Sequence, residues 1–174
     1  LKHMQEKMPF ASKTCLVTFD DGWKDNFKNA LPTLKENKVP ALVFLATGFI
    51  DTRNYFWQTR LIRSLYSLRE YLAQNPDQQP DRLPAMKIDE ISSIVHSSDE
   101  EFREKVLAFA ASQKKENISL IEERIALLNK DIQSEGEDGS GHEEFLDWQE
   151  IMEMKKEGIW FGSHGITHRI LPTL

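Results

Sequence analysis

The sequence of 174 residues has one cysteine, Cys15, and no apolar run long enough to cross a membrane as a helix. A single cysteine excludes an internal disulfide, and because Cys15 lies in an apolar run we expect a buried, unreactive thiol. Lysine and arginine number 22 against 28 aspartates and glutamates, which gives a formal net charge of −6. The chain therefore lacks the excess of basic residues that binds nucleic acid or an anionic membrane surface, and we expect neither as a partner. The first residues also lack the basic and then apolar layout of a secretory signal.

The start of the chain has the pattern of a β-α-β unit. The run from Lys13 to Phe19 has the length and the polar flanks of a buried parallel strand. A helix is predicted from Asn26 to Asn37, with Pro32 in an early turn, and the second strand is Ala41 to Ala46. Such a unit crosses over right-handed, so its two strands are parallel.

Beyond this unit the pattern becomes helical and then returns to the α/β frame. Helices are predicted at Tyr55–Leu72, Ile88–Val95, Glu100–Ala111, Ser119–Ile132 and Asp147–Lys156, and loops at Asn75–Pro84 and Ser134–Glu144, the second of them mobile. We expect a helical insertion at about residues 52–144. Core packing is the favoured role for the aromatic group at residues 55–57, ahead of a sugar-binding surface, and Trp148 is also expected in the core.

Two polar clusters follow short apolar runs that lie far apart in the sequence. Asp20 and Asp21 come after the first predicted strand, and His164 and His168 come after residues 159–161. Adjacent carboxylates repel each other unless a cation neutralises them, and two imidazoles with one carboxylate suffice for a divalent metal with an open position. Either cluster alone has an ordinary explanation, a turn or two surface histidines. Their joint occurrence at strand ends, where ligands gather in α/β proteins, favours a metal site.

These residues resemble the polysaccharide deacetylases, also called the NodB-homology domain or carbohydrate esterase family 4. The family's T-F-D-D-G motif stands unaltered at Thr18–Gly22, and its H-[ST]-x-x-H motif matches at His164 and His168, with Gly165 in place of the usual Ser or Thr. The resemblance implies an α/β fold, the amino-terminal part of a deformed (β/α) barrel with parallel strands, to which the helical insertion is added. We expect residues 1–174 to form a single, incomplete deacetylase domain.

The resemblance also implies a role for each motif residue. Asp21, His164 and His168 would be the ligands of a divalent metal, zinc before cobalt, manganese, nickel or iron. Asp20 would be the base that takes a proton from the attacking water. The implied reaction is the removal of N-acetyl groups from an N-acetylhexosamine-containing polysaccharide, so the expected partner is a glycan and the favoured location is the cell envelope or the outside of the cell.

The family's later motifs, which supply a base-orienting Arg and a His general acid, are not found before Leu174, so we expect this chain alone to have little or no activity.

Three other interpretations stay open. The alternative is a non-catalytic relative that binds metal or glycan. A non-haem iron oxygenase also uses two histidines and a carboxylate, but neither His164 nor His168 belongs to its usual H-x-[DE] element. Relatives that hydrolyse small cyclic amides form a further variant of the hydrolase interpretation.

Overall fold

The computed structural model describes residues 13–77, 88–130, 132 and 144–169. In chain order, the elements are β1 (Val17–Phe19), a π-helical segment (Asn26–Ala30), α1 (Leu31–Glu36), β2 (Ala41–Leu45), α2 (Trp57–Gln74), α3 (Ile88–Val95), α4 (Asp99–Ser112), a 3-10 turn (Gln113–Lys115), α5 (Ile118–Asn129), α6 (Trp148–Lys156) and β3 (Trp160–Ser163). The chain divides into one unit of residues 1–52 and 143–166 and another of residues 53–142 and 167–174. The sequence-based domain assignment, one incomplete deacetylase domain with an insertion at 52–144, stays a prediction.

The first unit contains a parallel sheet of three strands in the order β1-β2-β3. The middle strand, β2, alternates buried and half-buried side chains and points Ala41, Val43 and Leu45 into the core. Residues of α1, α6 and the loops complete this core: Leu31, Ile50, Leu146, Ile151, Met154 and Ile159. The predicted α/β class with parallel strands is confirmed.

Helix α6 begins at a cap that its sequence encodes. The Asp147 side chain accepts a hydrogen bond from the backbone N–H of Glu150, and the Glu150 side chain accepts one from the backbone N–H of Asp147. This reciprocal pair is a capping box, which satisfies two amide groups that the first turn of a helix leaves without partners. It fixes where α6 starts.

Three predictions of burial in the first unit are wrong. Cys15 is exposed, β1 is only half-buried at Val17 and Phe19, and Trp148 is 51% exposed. The described sheet pairs β1 with a neighbour on one side only, so its side chains and the residues before it receive less cover than those of β2. Trp148 stands at the first position of α6, whose buried face carries Ile151 and Met154 instead.

The second unit is helical, as the insertion is predicted to be. Helices α2 to α5 bury one apolar cluster: Leu61, Leu65, Leu68, Ile91, Ile94, Val95, Phe102, Val106, Phe109, Ala110, Ile121, Ile125, Leu128 and Ile132. Ser98 and Asn117 cap α4 and α5 by accepting backbone N–H groups of the first turns. Most of the predicted loops at 75–84 and 134–144 lies outside the described residues.

The aromatic group before and at the start of α2 packs within this unit, as predicted. Phe56 is 5% exposed, Trp57 packs against the helical core, and the guanidinium of Arg63 lies 3.9 Å from the ring centroid of Tyr55.

Among the described helices of the chain, none is both long and apolar enough to cross a membrane.

Candidate metal centre

The turn after β1 carries the two adjacent aspartates, and the second of them has a left-handed backbone conformation. Asp21 has φ +72° and Gly22 has φ +80°, and the N–H of Gly22 donates to the carbonyl of Asp20 at 2.9 Å. A non-glycine residue at positive φ is strained, and such strain is concentrated at functional sites. The N–H of Ala46 donates to the carbonyl of Asp21 at 3.1 Å, which ties this turn to the end of β2.

The loop after β3 is tied to the same end of β2. The N–H of His164 donates to the carbonyl of Leu45 at 2.7 Å, and the N–H groups of Thr47 and Gly48 donate to the carbonyls of Gly165 and Ile166 at 3.0 and 2.8 Å. Asp20, Asp21 and His164 therefore lie at the carboxyl ends of parallel strands, where α/β proteins place their ligands.

Gly165, the one departure from the usual family motif, suits the backbone that it occupies. Its φ is +80°, a conformation that glycine adopts without the steric penalty of a Cβ atom. Its N–H donates to the hydroxyl of Ser163 at 3.2 Å. The loop therefore keeps a local hydrogen bond, although position 165 has no side-chain hydroxyl.

Asp21 and His164 meet within the first unit. Oδ1 of Asp21 lies 3.5 Å from Nε2 of His164, and the two side chains are 16% and 37% exposed. Two ligand atoms that each lie about 2.0–2.1 Å from one tetrahedral zinc ion are separated by roughly 3.3–3.4 Å. The observed separation and the donor types, one carboxylate oxygen and one imidazole nitrogen, therefore fit a shared divalent metal.

Two neighbours of Asp21 that sequence reasoning missed hold this turn. The indole N–H of Trp23 donates to Oδ2 of Asp21 at 3.1 Å. The ammonium group of Lys24, only 9% exposed, lies 3.1 Å from Glu150 and 3.7 Å from Asp147. An aromatic residue and a cation directly after the Asp-Asp-Gly turn were visible in the sequence. The contact of Trp23 depends on the orientation of its ring, and the contacts of Lys24 depend on the start of α6, which is remote in the chain.

The other two predicted site residues occupy the following positions. Asp20 directly follows β1 and its side chain is exposed. His168 belongs to the second unit, where its half-buried ring stacks on Phe56 with centroids 4.3 Å apart and an interplanar angle of 21°. Its φ is +53°, so it too has a left-handed backbone. The roles of Asp20, Asp21, His164 and His168 stay predictions.

Comparison with known proteins identifies the family. The model of the family described as "Polysaccharide deacetylase" matches residues 7–174. The chain belongs to the polysaccharide deacetylase family. A protein of Bacillus subtilis (strain 168), described as "Putative polysaccharide deacetylase YxkH", is 33% identical over 57 residues, which are 33% of this chain and 20% of that protein. The match thus spans about a fifth of the length of this polysaccharide deacetylase relative. No solved structure shows a significant match.

Proposed function

We propose that the protein is a metal-dependent hydrolase that removes N-acetyl groups from an N-acetylhexosamine-containing polysaccharide. The observation that carries this proposal is the contact of Asp21 with His164 at the carboxyl ends of β1 and β3. Membership of the polysaccharide deacetylase family supports the reaction class. The family's glycans favour the cell envelope or the cell exterior as the place of action.

Asp21, His164 and His168 would hold the metal, with zinc the first expectation from two imidazoles and one carboxylate. Cobalt, manganese, nickel or iron would suit the same donors. When bound, a divalent metal lowers the pKa of water and polarises the amide carbonyl of the substrate. His168 follows His164 by four residues, and the stack on Phe56 restricts the rotation of its ring.

Asp20 would act as the base. Its neighbour Asp21 has a carboxylate that is engaged by Trp23 and faces His164, whereas the side chain of Asp20 is exposed at the end of the strand. An exposed carboxylate at this position is accessible to an incoming amide and to the attacking water, from which it would accept a proton. The products are acetate and the free amine of the sugar.

The test is acetate release from chito-oligosaccharides by the protein that carries this chain, supplied with zinc or cobalt. Asp20→Asn should lower the rate of acetate release by about 10²–10⁴-fold, the usual contribution of a general base, and leave metal binding unchanged. Asp25→Asn is the matched control, because Asp25 is an exposed aspartate near the same turn whose side chain does not cap the helical segment after it. Equal rates in the Asp20→Asn and wild-type proteins would reject Asp20 as the base. Glycan binding without acetate release in the wild type would favour the non-catalytic alternative.

A further inference from the structure

We propose that Trp23 is a positioning residue that fixes the carboxylate of Asp21 in the orientation required for metal binding. This inference rests on the metal centre proposed above. The indole N–H donates to Oδ2 of Asp21, while Oδ1 of the same carboxylate faces Nε2 of His164 at 3.5 Å. The two oxygens of Asp21 thus have different neighbours: Oδ2 contacts the indole and Oδ1 faces the other proposed ligand.

The indole itself is held in place. Its ring stacks on Phe145 with centroids 4.6 Å apart and an interplanar angle of 20°, and Phe145 is 2% exposed. Phe49 packs against Phe145, with the two ring centroids 5.2 Å apart. Residues 23 and 145 also form an antiparallel backbone bridge. Both the backbone and the ring plane of Trp23 are therefore fixed, so the direction of its N–H group is fixed as well.

A fixed donor at Oδ2 has a physical effect on a ligand at Oδ1. A terminal carboxylate torsion is broad, so an aspartate without a second contact rotates freely and must lose that freedom when it binds a metal. A hydrogen bond to the other oxygen removes this rotation in advance. Groups that orient a metal ligand in this way typically contribute 10–100-fold to metal affinity.

Packing alone would give Trp23 a different role. The stack on Phe145 would be kept by any aromatic side chain of suitable size, whereas the contact with Asp21 requires the N–H group. Variants that keep the ring and remove the donor separate the two roles.

The experiment measures zinc affinity by competition with a chromophoric chelator and, in parallel, stability by urea unfolding. Trp23→Phe keeps a ring for the stack, and replacement of Trp23 by 3-benzothienylalanine keeps the size of the indole and removes only its N–H group. Both should weaken zinc binding by about 10–100-fold. Trp160→Phe, the same change at an exposed tryptophan at the amino end of β3, should bind zinc within about twofold of the wild type, as expected for a surface change at the end of the strand opposite the site.

Asp21→Ala separates a failure of this inference from a failure of the metal centre. If Asp21→Ala loses zinc and both Trp23 variants bind it as tightly as the wild type, Trp23 has no positioning role and the metal centre stands. If Asp21→Ala binds zinc like the wild type, the metal centre is wrong and the role of Trp23 is wrong with it. A loss of affinity in Trp23→Phe that is absent in the benzothienyl variant would assign the effect to packing and overturn the inference.

Discussion

Gly22 fixes the turn that carries both aspartates. Its φ of +80° is costly for any residue with a Cβ atom. A Cβ atom at this position would also lie 2.7 Å from Cδ2 of Leu45, which is buried in the core of the first unit. The residue therefore meets two constraints, one of backbone conformation and one of space.

We expect Gly22→Ala to lower the free energy of unfolding by about 2–5 kcal/mol, the sum of left-handed strain and overpacking. Gly158→Ala is the control: its φ is +87°, and an added Cβ atom would meet nothing within 4 Å. It should cost only about 1–2 kcal/mol, from backbone strain. Urea unfolding measures both, and equal losses would show that the contact with Leu45 has no energetic consequence.

At the scale of residues, the sequence pointed to two side chains that lie close together, whereas its predictions of burial in the first unit were wrong. The pattern of carboxylates and imidazoles at strand ends led to Asp21 and His164, which do meet in the first unit. The exposure of Cys15 and Trp148 was not predictable in the same way, because it depends on which neighbours cover the edge of the sheet and which face of α6 is buried. The contact of Trp23 with Asp21 depends on ring orientation, which no sequence pattern encodes.

At the scale of elements, Lys24 joins the turn after β1 to the start of α6. Its ammonium group is paired with Glu150 and Asp147, the two residues of the capping box. The side chain of Glu150 is 12% exposed, so its charge is largely removed from water. The loss of one partner in such a pair leaves an incompletely compensated charge.

Lys24→Met, which keeps the length of the side chain and removes its charge, should lower the free energy of unfolding by about 1–3 kcal/mol. The control is Lys35→Met, since Lys35 pairs with Glu157 at 2.8 Å with both side chains more than a third exposed. Exposed pairs contribute at most about 1 kcal/mol. Thermal or urea unfolding gives the two values, and a larger loss in the Lys35 variant would contradict this account of Lys24.

Elements were predictable where periodicity and caps agree. The limits of α3 match the prediction at both ends. The limits of α4 and α5 differ from it by a few residues, and each of these two helices has a polar cap. The first strand is shorter than predicted, Val17–Phe19 against Lys13–Phe19. Strand length is set by hydrogen-bonded pairing with β2, which local sequence does not determine.

At the scale of the whole molecule, the described residues form two apolar cores that share no residue. One belongs to the parallel sheet with α1 and α6, and the other belongs to α2–α5. The sequence changes from short apolar runs to helical periodicity after Gly48, from which we predicted a helical insertion rather than a separate core.

Leu65 tests the helical core, because it is fully buried in α2. Leu65→Ala should lower the free energy of unfolding by about 2–5 kcal/mol and speed hydrogen exchange in α2, α4 and α5. Leu107→Ala, at a 49% exposed leucine of α4, should change stability by no more than about 0.5 kcal/mol. Similar losses in the two variants would show that this cluster does not stabilise the unit.

The central claim is that Asp21, His164 and His168 bind one divalent metal. The most direct measurement is anomalous diffraction at the zinc edge from crystals of the zinc-loaded protein. We expect one anomalous peak at about 2.0–2.2 Å from a carboxylate oxygen of Asp21 and from a ring nitrogen of each histidine. A zinc ion bound elsewhere, or coordinated by Asp21 and His164 without His168, would contradict the account.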